Sequence, residues 1–395
     1  MWDVLKADLT ESPLTAIIRN KILASLETGR LDDGRDLPAI PFHQYMTLCL
    51  YHPEFGYYRA GFSRVGREGD FYTSSYVGEM MGEQLGEELV RLAGYYFPND
   101  ERIAVFEWGG GTGRLARQMM DVWYLASDRD GKMQDQEKGF TLALVEGNPE
   151  HRRLAIEELD EYIQTGKARV VTTEEAEDLL QCEQPAIIVA NELLDAFPTH
   201  RLVRRGELIL EWGVTWEEGK GLVSCLLEPI SAQLNNWIQE EGHLLSNNQT
   251  VEVNLDAMNW INNLTGRLDR AMMVLIDYGD ETEELISPHR MEGTLLCYYK
   301  HRAHSDPYLV PGEQDLTSHV NFSHIRQTAQ KSGWKEIEYV NQKNFLVKSG
   351  ILDKLSSHTI SDPFHPIARR NRAIRQLLLS DGMSELFKVQ ILIKQ

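Results

Sequence analysis

The sequence predicts an α/β protein: a doubly wound, Rossmann-like parallel sheet, preceded by an N-terminal helical segment and carrying a large insertion after its fourth strand. Three observations carry this. From Ile103 onward, short apolar runs alternate with helical stretches, the signature of βαβ units. The first run enters a glycine-rich turn that opens a helix. Roughly 75 residues then separate the fourth run from the fifth, far beyond the usual αβ connection of about 2–6 residues.

The elements follow in order. Leu14, Ile17, Ile18, Ile22 and Leu26 recur at helical spacing, so residues 13–26 form an amphipathic helix. A Gly- and Asp-rich break covers 29–36, and a short helix from Pro41 stops before Pro53. Residues 56–75, rich in Gly and aromatics, make a loop long enough to cover a site. A helix spans 79–96. The buried strands are 103–107, 141–146, 168–172, 186–190 and 271–277, with two more at 334–339 and 386–393. Within the insertion, 207–216 and 222–227 are strand-like, and 230–240 and 255–268 helical. The organisation expected is a segment 1–100 packing over the site, a core of 101–205 and 271–395, and an insertion 206–270 that serves substrate or partner binding.

Forty basic against sixty acidic residues leave a net charge of −20, which argues against binding along nucleic-acid phosphates. Hydrophobic content of 42% with 25% charge is ordinary for a globular chain. Cys49, Cys182, Cys225 and Cys297 are scattered, with neither zinc spacing nor a disulfide framework, which suits a reducing compartment. Asp3, Asp8 and Glu11 interrupt the first twenty residues, unlike a signal or transit peptide. No 18-residue apolar run occurs. The expectation is a soluble cytoplasmic protein without membrane insertion, its oligomeric state open and a homodimer allowed. His301, His304, His319 and His324 have no carboxylate at ligand spacing, so no metal is expected.

The chemistry centres on residues 105–116, VFEWGGGTGRLA. Gly109, Gly111 and Gly113 remove side chains where backbone approaches a ligand, and the helix N-terminus adds unpaired N–H groups. In one frame, Gly111-x-Gly113-x-x-Ala116 satisfies the dinucleotide fingerprint of NAD or FAD proteins. In the other, Glu107-x-Gly109-x-Gly111-x-Gly113 resembles motif I of class I S-adenosylmethionine (SAM) methyltransferases. An acid at the loop entrance suits a ligand with an ammonium and a sulfonium and would repel a pyrophosphate. A tight turn without a ligand is the third reading, and so many glycines make it entropically costly. Glu146, ending the second strand, is placed to accept a ribose diol, and Asn148 to contact adenine or ribose.

Asn191, Glu192 and Asp195 fall just past the fourth strand's carboxyl end, the edge where open α/β sheets bind ligands. In a helix, Glu192 and Asp195 would share a face, as acceptor-holding acids or simply as a helix-capping acid pair. In-line methyl transfer depends mainly on alignment, and paired carboxylates orient the planar fork of a guanidinium.

Beyond the glycine loop, the chain resembles the MidA-like methyltransferases, the family containing the mitochondrial complex I assembly arginine methyltransferase. The resemblance rests on residues 41–58 (PFHQYMTLCLYHPEFGYY), 69–74 (GDFYTS), 191–198 (NELLDAFP), 277–279 (DYG) and 311–322 (PGEQDLTSHVNF). It implies a class I fold and SAM bound by Glu107, Gly109, Gly111, Gly113 and Glu146; Asn148 and Asn191 are further candidates for the cofactor from their places at the strand ends. The loop bearing Asp70, Phe71 and Thr73 would close over the cofactor. Glu192 and Asp195 would hold the acceptor, and Asp315 and His319 are read as pocket or loop-ordering residues. The acceptor implied is a protein side chain, arginine first. The alternatives are a small-molecule N- or O-methyltransferase and a non-catalytic SAM-binding assembly factor.

Overall fold

The computed structural model describes residues 12–59, 80–129, 139–181, 183–300, 302–357, 362, 364–379 and 383–395. Asp70, Phe71 and Thr73 lie outside the described residues. The chain divides into two units. One comprises Met1–Ala60, Asp195–Trp260 and Gly279–Ile325; the other comprises Gly61–Leu194, Ile261–Tyr278 and Arg326–Gln395. These boundaries differ from 1–100, 101–205 with 271–395, and 206–270, because the N-terminal residues group with both the insertion and 279–325.

The second unit is built on seven strands: β1 (Arg102–Trp108), β2 (Gly139–Val145), β3 (Ala168–Val171), β4 (Ala186–Asn191), β5 (Ala271–Asp280), β6 (Lys335–Asn341) and β7 (Phe387–Lys394). Their order across the sheet is β6-β7-β5-β4-β1-β2-β3, parallel except for β7. Each strand expected from an apolar run is present within a few residues. The central strands are buried on both faces, which is why they read as continuous apolar runs rather than alternating ones.

Helix Arg114–Arg129 lays Leu115, Met119 and Trp123 onto this sheet, with Trp123 stacked on Phe140 at 4.7 Å between centroids. The indole N–H of Trp123 donates to the carbonyl of Gly86 in helix Met80–Tyr96, satisfying its one polar group inside the core. Strand order reverses between β1 and β4, the switch point beside whose carboxyl ends open α/β sheets bind ligands.

The other unit is largely antiparallel. Strands Thr250–Val253, His200–Arg205, Leu208–Glu217, Asp36–Pro41, Thr28–Arg30 and Gly221–Leu227 pair in that order. Leu208–Glu217 also pairs with Gly221–Leu227, closing a ring of four strands. The N-terminal segment is therefore not purely helical, and the break at 29–36 is a hairpin. Its three-residue strand is too short to show a period-2 pattern. Its partner is held by remote pairing, Ala39 with Thr215 and Ile40 with Val214. Local sequence carries no record of such a contact. Among the described residues, no helix is long and apolar enough to cross a membrane.

Candidate functional site

The glycine loop follows β1 directly. Its first two amides, Gly109 and Gly110, donate to the Val145 carbonyl at 2.9 and 3.3 Å, tying the loop to β2. The glycines then divide by role. A Cβ on Gly109 would meet Leu193 Cδ1 at 2.9 Å, one on Gly110 the Leu144 side chain at 2.5 Å, and one on Gly113 the Ala155 backbone at 3.2 Å. These three make room for protein. Gly111, at φ +54°, has nothing among the described residues within 4 Å of where a Cβ would stand, so it is the position where a ligand can approach bare backbone.

Glu146, half-buried at the end of β2, accepts the Gly111 N–H on Oε2 at 2.9 Å and the Asn148 N–H on Oε1 at 2.7 Å. Each oxygen keeps lone-pair capacity for a further donor, as a diol requires. Asn148 has a job the sequence did not show. Its side-chain oxygen caps helix Pro149–Glu158, taking the N–H groups of Glu150 and His151. Asn148→Ala should cost about 1 kcal/mol and lower the melting temperature accordingly, measured by thermal unfolding.

Glu107 is 3% exposed, and its Oε2 has no hydrogen-bond partner among the described residues. Burial pushes its carboxyl up to about 8 and the charge of Glu146 adds to this, while an Ala116 backbone hydrogen bond pulls the other way. His151 is a residue that sequence reasoning missed. It is buried, its Nδ1 lies 4.0 Å from Glu146 Oε2, and its Nε2 has no partner among the described residues. Its place in the first turn after a strand-ending acid was the available signal.

At the carboxyl end of β4 the chain makes a turn, not a helix, so the shared helical face of Glu192 and Asp195 does not form. Glu192 sits at φ +54°, left-handed and incompatible with a right-handed helix. Its amide donates to Ile276 O at 2.9 Å, and Asn191 Nδ2 donates to its Oε1 at 3.2 Å. Leu193 then fills the space over Gly109, joining this turn to the glycine loop.

Asp195, Asp315 and His319 belong to the other unit. Asp195 is buried and accepts the Thr317 hydroxyl on Oδ2 at 2.8 Å. Asp315, buried two positions before Thr317 on the same strand, accepts the Tyr58 hydroxyl at 2.8 Å. Burial first and the Asp315 charge second drive the Tyr58 phenol well above its ordinary value. The His319 amide donates to Thr294 Oγ1 at 3.1 Å. Tyr58 and Thr317 escaped the sequence reading because they reach these acids from far along the chain.

The model of a family of S-adenosyl-L-methionine-dependent methyltransferases matches residues 80–340. A mitochondrial protein arginine methyltransferase NDUFAF7 homologue from Drosophila melanogaster is 27% identical over 364 residues, 83% of this chain and 72% of that protein. A Burkholderia thailandensis protein crystallised with S-adenosyl-homocysteine superposes with a TM-score of 0.80 at 26% identity, covering 100% of this chain and 93% of its own. A native crystal structure from the same organism gives 0.76 at 27% identity. The dinucleotide reading of the glycine loop therefore gives way to the SAM reading. The chain belongs to the MidA-like family of class I SAM-dependent methyltransferases.

Proposed function

We propose that the chain methylates a cationic protein side chain, arginine first, with the cofactor held by Glu107, Gly111 and Glu146 and the acceptor oriented by Glu192. The observation that carries this is the placement of Glu192: a half-buried carboxylate in a left-handed turn at the sheet's carboxyl edge, whose next residue packs on the glycine loop.

The residues fit the cofactor. A buried carboxylate whose Oε2 has no partner among the described residues, Glu107, suits an ammonium, and Gly111 suits close approach. Glu146 offers two oxygens to a diol. When bound, SAM supplies an electrophilic methyl on a positively charged sulfur. Glu192 accepts charge-assisted hydrogen bonds from the acceptor, fixing which nitrogen is presented. As the nitrogen–carbon bond forms and the sulfur–carbon bond breaks, that nitrogen loses its extra proton to solvent. A guanidinium matches a carboxylate's planar fork, and the Drosophila relative is named as an arginine methyltransferase.

The test supplies purified protein and tritiated-methyl SAM to an extract of cells lacking this chain. Label should appear in protein and be recovered as methylarginine after hydrolysis, and Glu192→Gln should slow its appearance about 100-fold. Label confined to the small-molecule fraction would overturn the protein acceptor. An unchanged rate in Glu192→Gln would overturn the role of Glu192.

A further inference from the structure

We infer that Asp277 is a positioning residue for methyl transfer: its carboxylate holds the turn at residues 192–194 and thereby fixes Glu192. This rests on the reading of Glu192 as the acceptor-side carboxylate.

Asp277 is 1% exposed, near the carboxyl end of β5. Strands β4 and β5 are parallel neighbours with Asn191 opposite Ile276, so Asp277 stands one position past the end of their pairing. Its Oδ2 accepts the N–H groups of Leu193 at 3.2 Å and Leu194 at 2.9 Å, and its Oδ1 accepts the N–H of Tyr278 at 2.9 Å. Those first two amides immediately follow Glu192.

A non-glycine residue at φ +54° is strained and persists only where its surroundings over-determine it. Two bonds from one buried oxygen, set directly after the strained residue, supply that determination. A carboxylate suits the task because both its oxygens accept and neither donates. The Asp-Tyr-Gly block thus acquires a function: it fixes the turn that carries the acceptor-side acid and, through Leu193, sets that turn against Gly109.

The test is a double-mutant cycle on the labelling rate at saturating SAM, with S-adenosyl-homocysteine affinity measured by calorimetry alongside. Asp277→Asn puts an NH2 where an acceptor oxygen stood. It should lower the rate about 10- to 100-fold while leaving S-adenosyl-homocysteine affinity within about threefold. Acting through Glu192, it should cost nothing more in a Glu192→Gln background. Where Asp277→Asn fails to fold, Asp277→Ser, which keeps one acceptor oxygen, enters the same cycle. An equal further loss in the Glu192→Gln background, or a normal rate in Asp277→Asn while Glu192→Gln is slow, overturns the inference alone. A normal rate in Glu192→Gln overturns the acceptor reading, and the inference falls with it.

Discussion

Glu107→Gln is expected to stabilise the ligand-free protein at alkaline pH while weakening S-adenosyl-homocysteine binding. The parent carboxyl titrates near 8 when buried in the folded chain and near 4.5 when the chain is open. Below 4.5 both forms are protonated and the burial costs nothing. As pH rises from 4.5 to about 8 the unfolded chain ionises and the folded one does not, so stability falls. Above 8 the cost levels off at about 5 kcal/mol. Glutamine, which does not ionise, removes that cost. Its melting temperature should match the parent near pH 4 and exceed it by several degrees at pH 8.5.

Binding should go the other way. An ammonium stabilises ionised Glu107, so binding releases a proton. The parent's affinity should then climb by up to about tenfold per unit between pH 6 and 8. Glutamine should bind about 10- to 100-fold more weakly at pH 8, with a flat profile. Calorimetry in two buffers of different ionisation enthalpy checks the proton release directly. A pH-independent parent affinity would remove Glu107 from the cofactor site.

Substitutions at two adjacent glycines should separate ligand from packing. Gly111→Ala places a methyl in the open space beside the loop, on a left-handed residue. The strain costs about 1 kcal/mol of stability, whereas the methyl obstructs the approach to this stretch of backbone. S-adenosyl-homocysteine affinity should fall more than about 30-fold, with a loss of only a few degrees in melting temperature. Gly110→Ala drives its methyl into the buried Leu144 side chain, overpacking the core at a cost of about 1–3 kcal/mol. Its melting temperature should drop while binding, measured below that melting point, changes little. The reverse pattern would mean the ligand meets the loop at Gly110.

Much of this was legible in the sequence, and the reasons are physical. The strands of the parallel sheet announced themselves because burial on both faces demands uninterrupted apolar runs. Glu107, the glycines and Glu146 were legible because a strand end and the turn after it lie within a few residues, so their juxtaposition is local. The antiparallel unit was less visible: Leu208–Glu217 and Gly221–Leu227 were read as strands, Thr28–Arg30 and Thr250–Val253 are too short to show, and Asp36–Pro41 and His200–Arg205 went unread.

By itself, then, the sequence determined the fold class and the place of the glycine loop, because both depend on periodicity and short-range spacing. Only the tertiary structure decided which glycine faces open space, that Glu192 occupies a strained turn rather than a helix, and that Asn148 caps a helix. It alone brought Asp277 to the amides after Glu192, Thr317 to Asp195 and Tyr58 to Asp315. These meetings join residues tens to hundreds of positions apart, and such pairing is fixed by the packing of whole strands rather than by any local preference of the residues that meet.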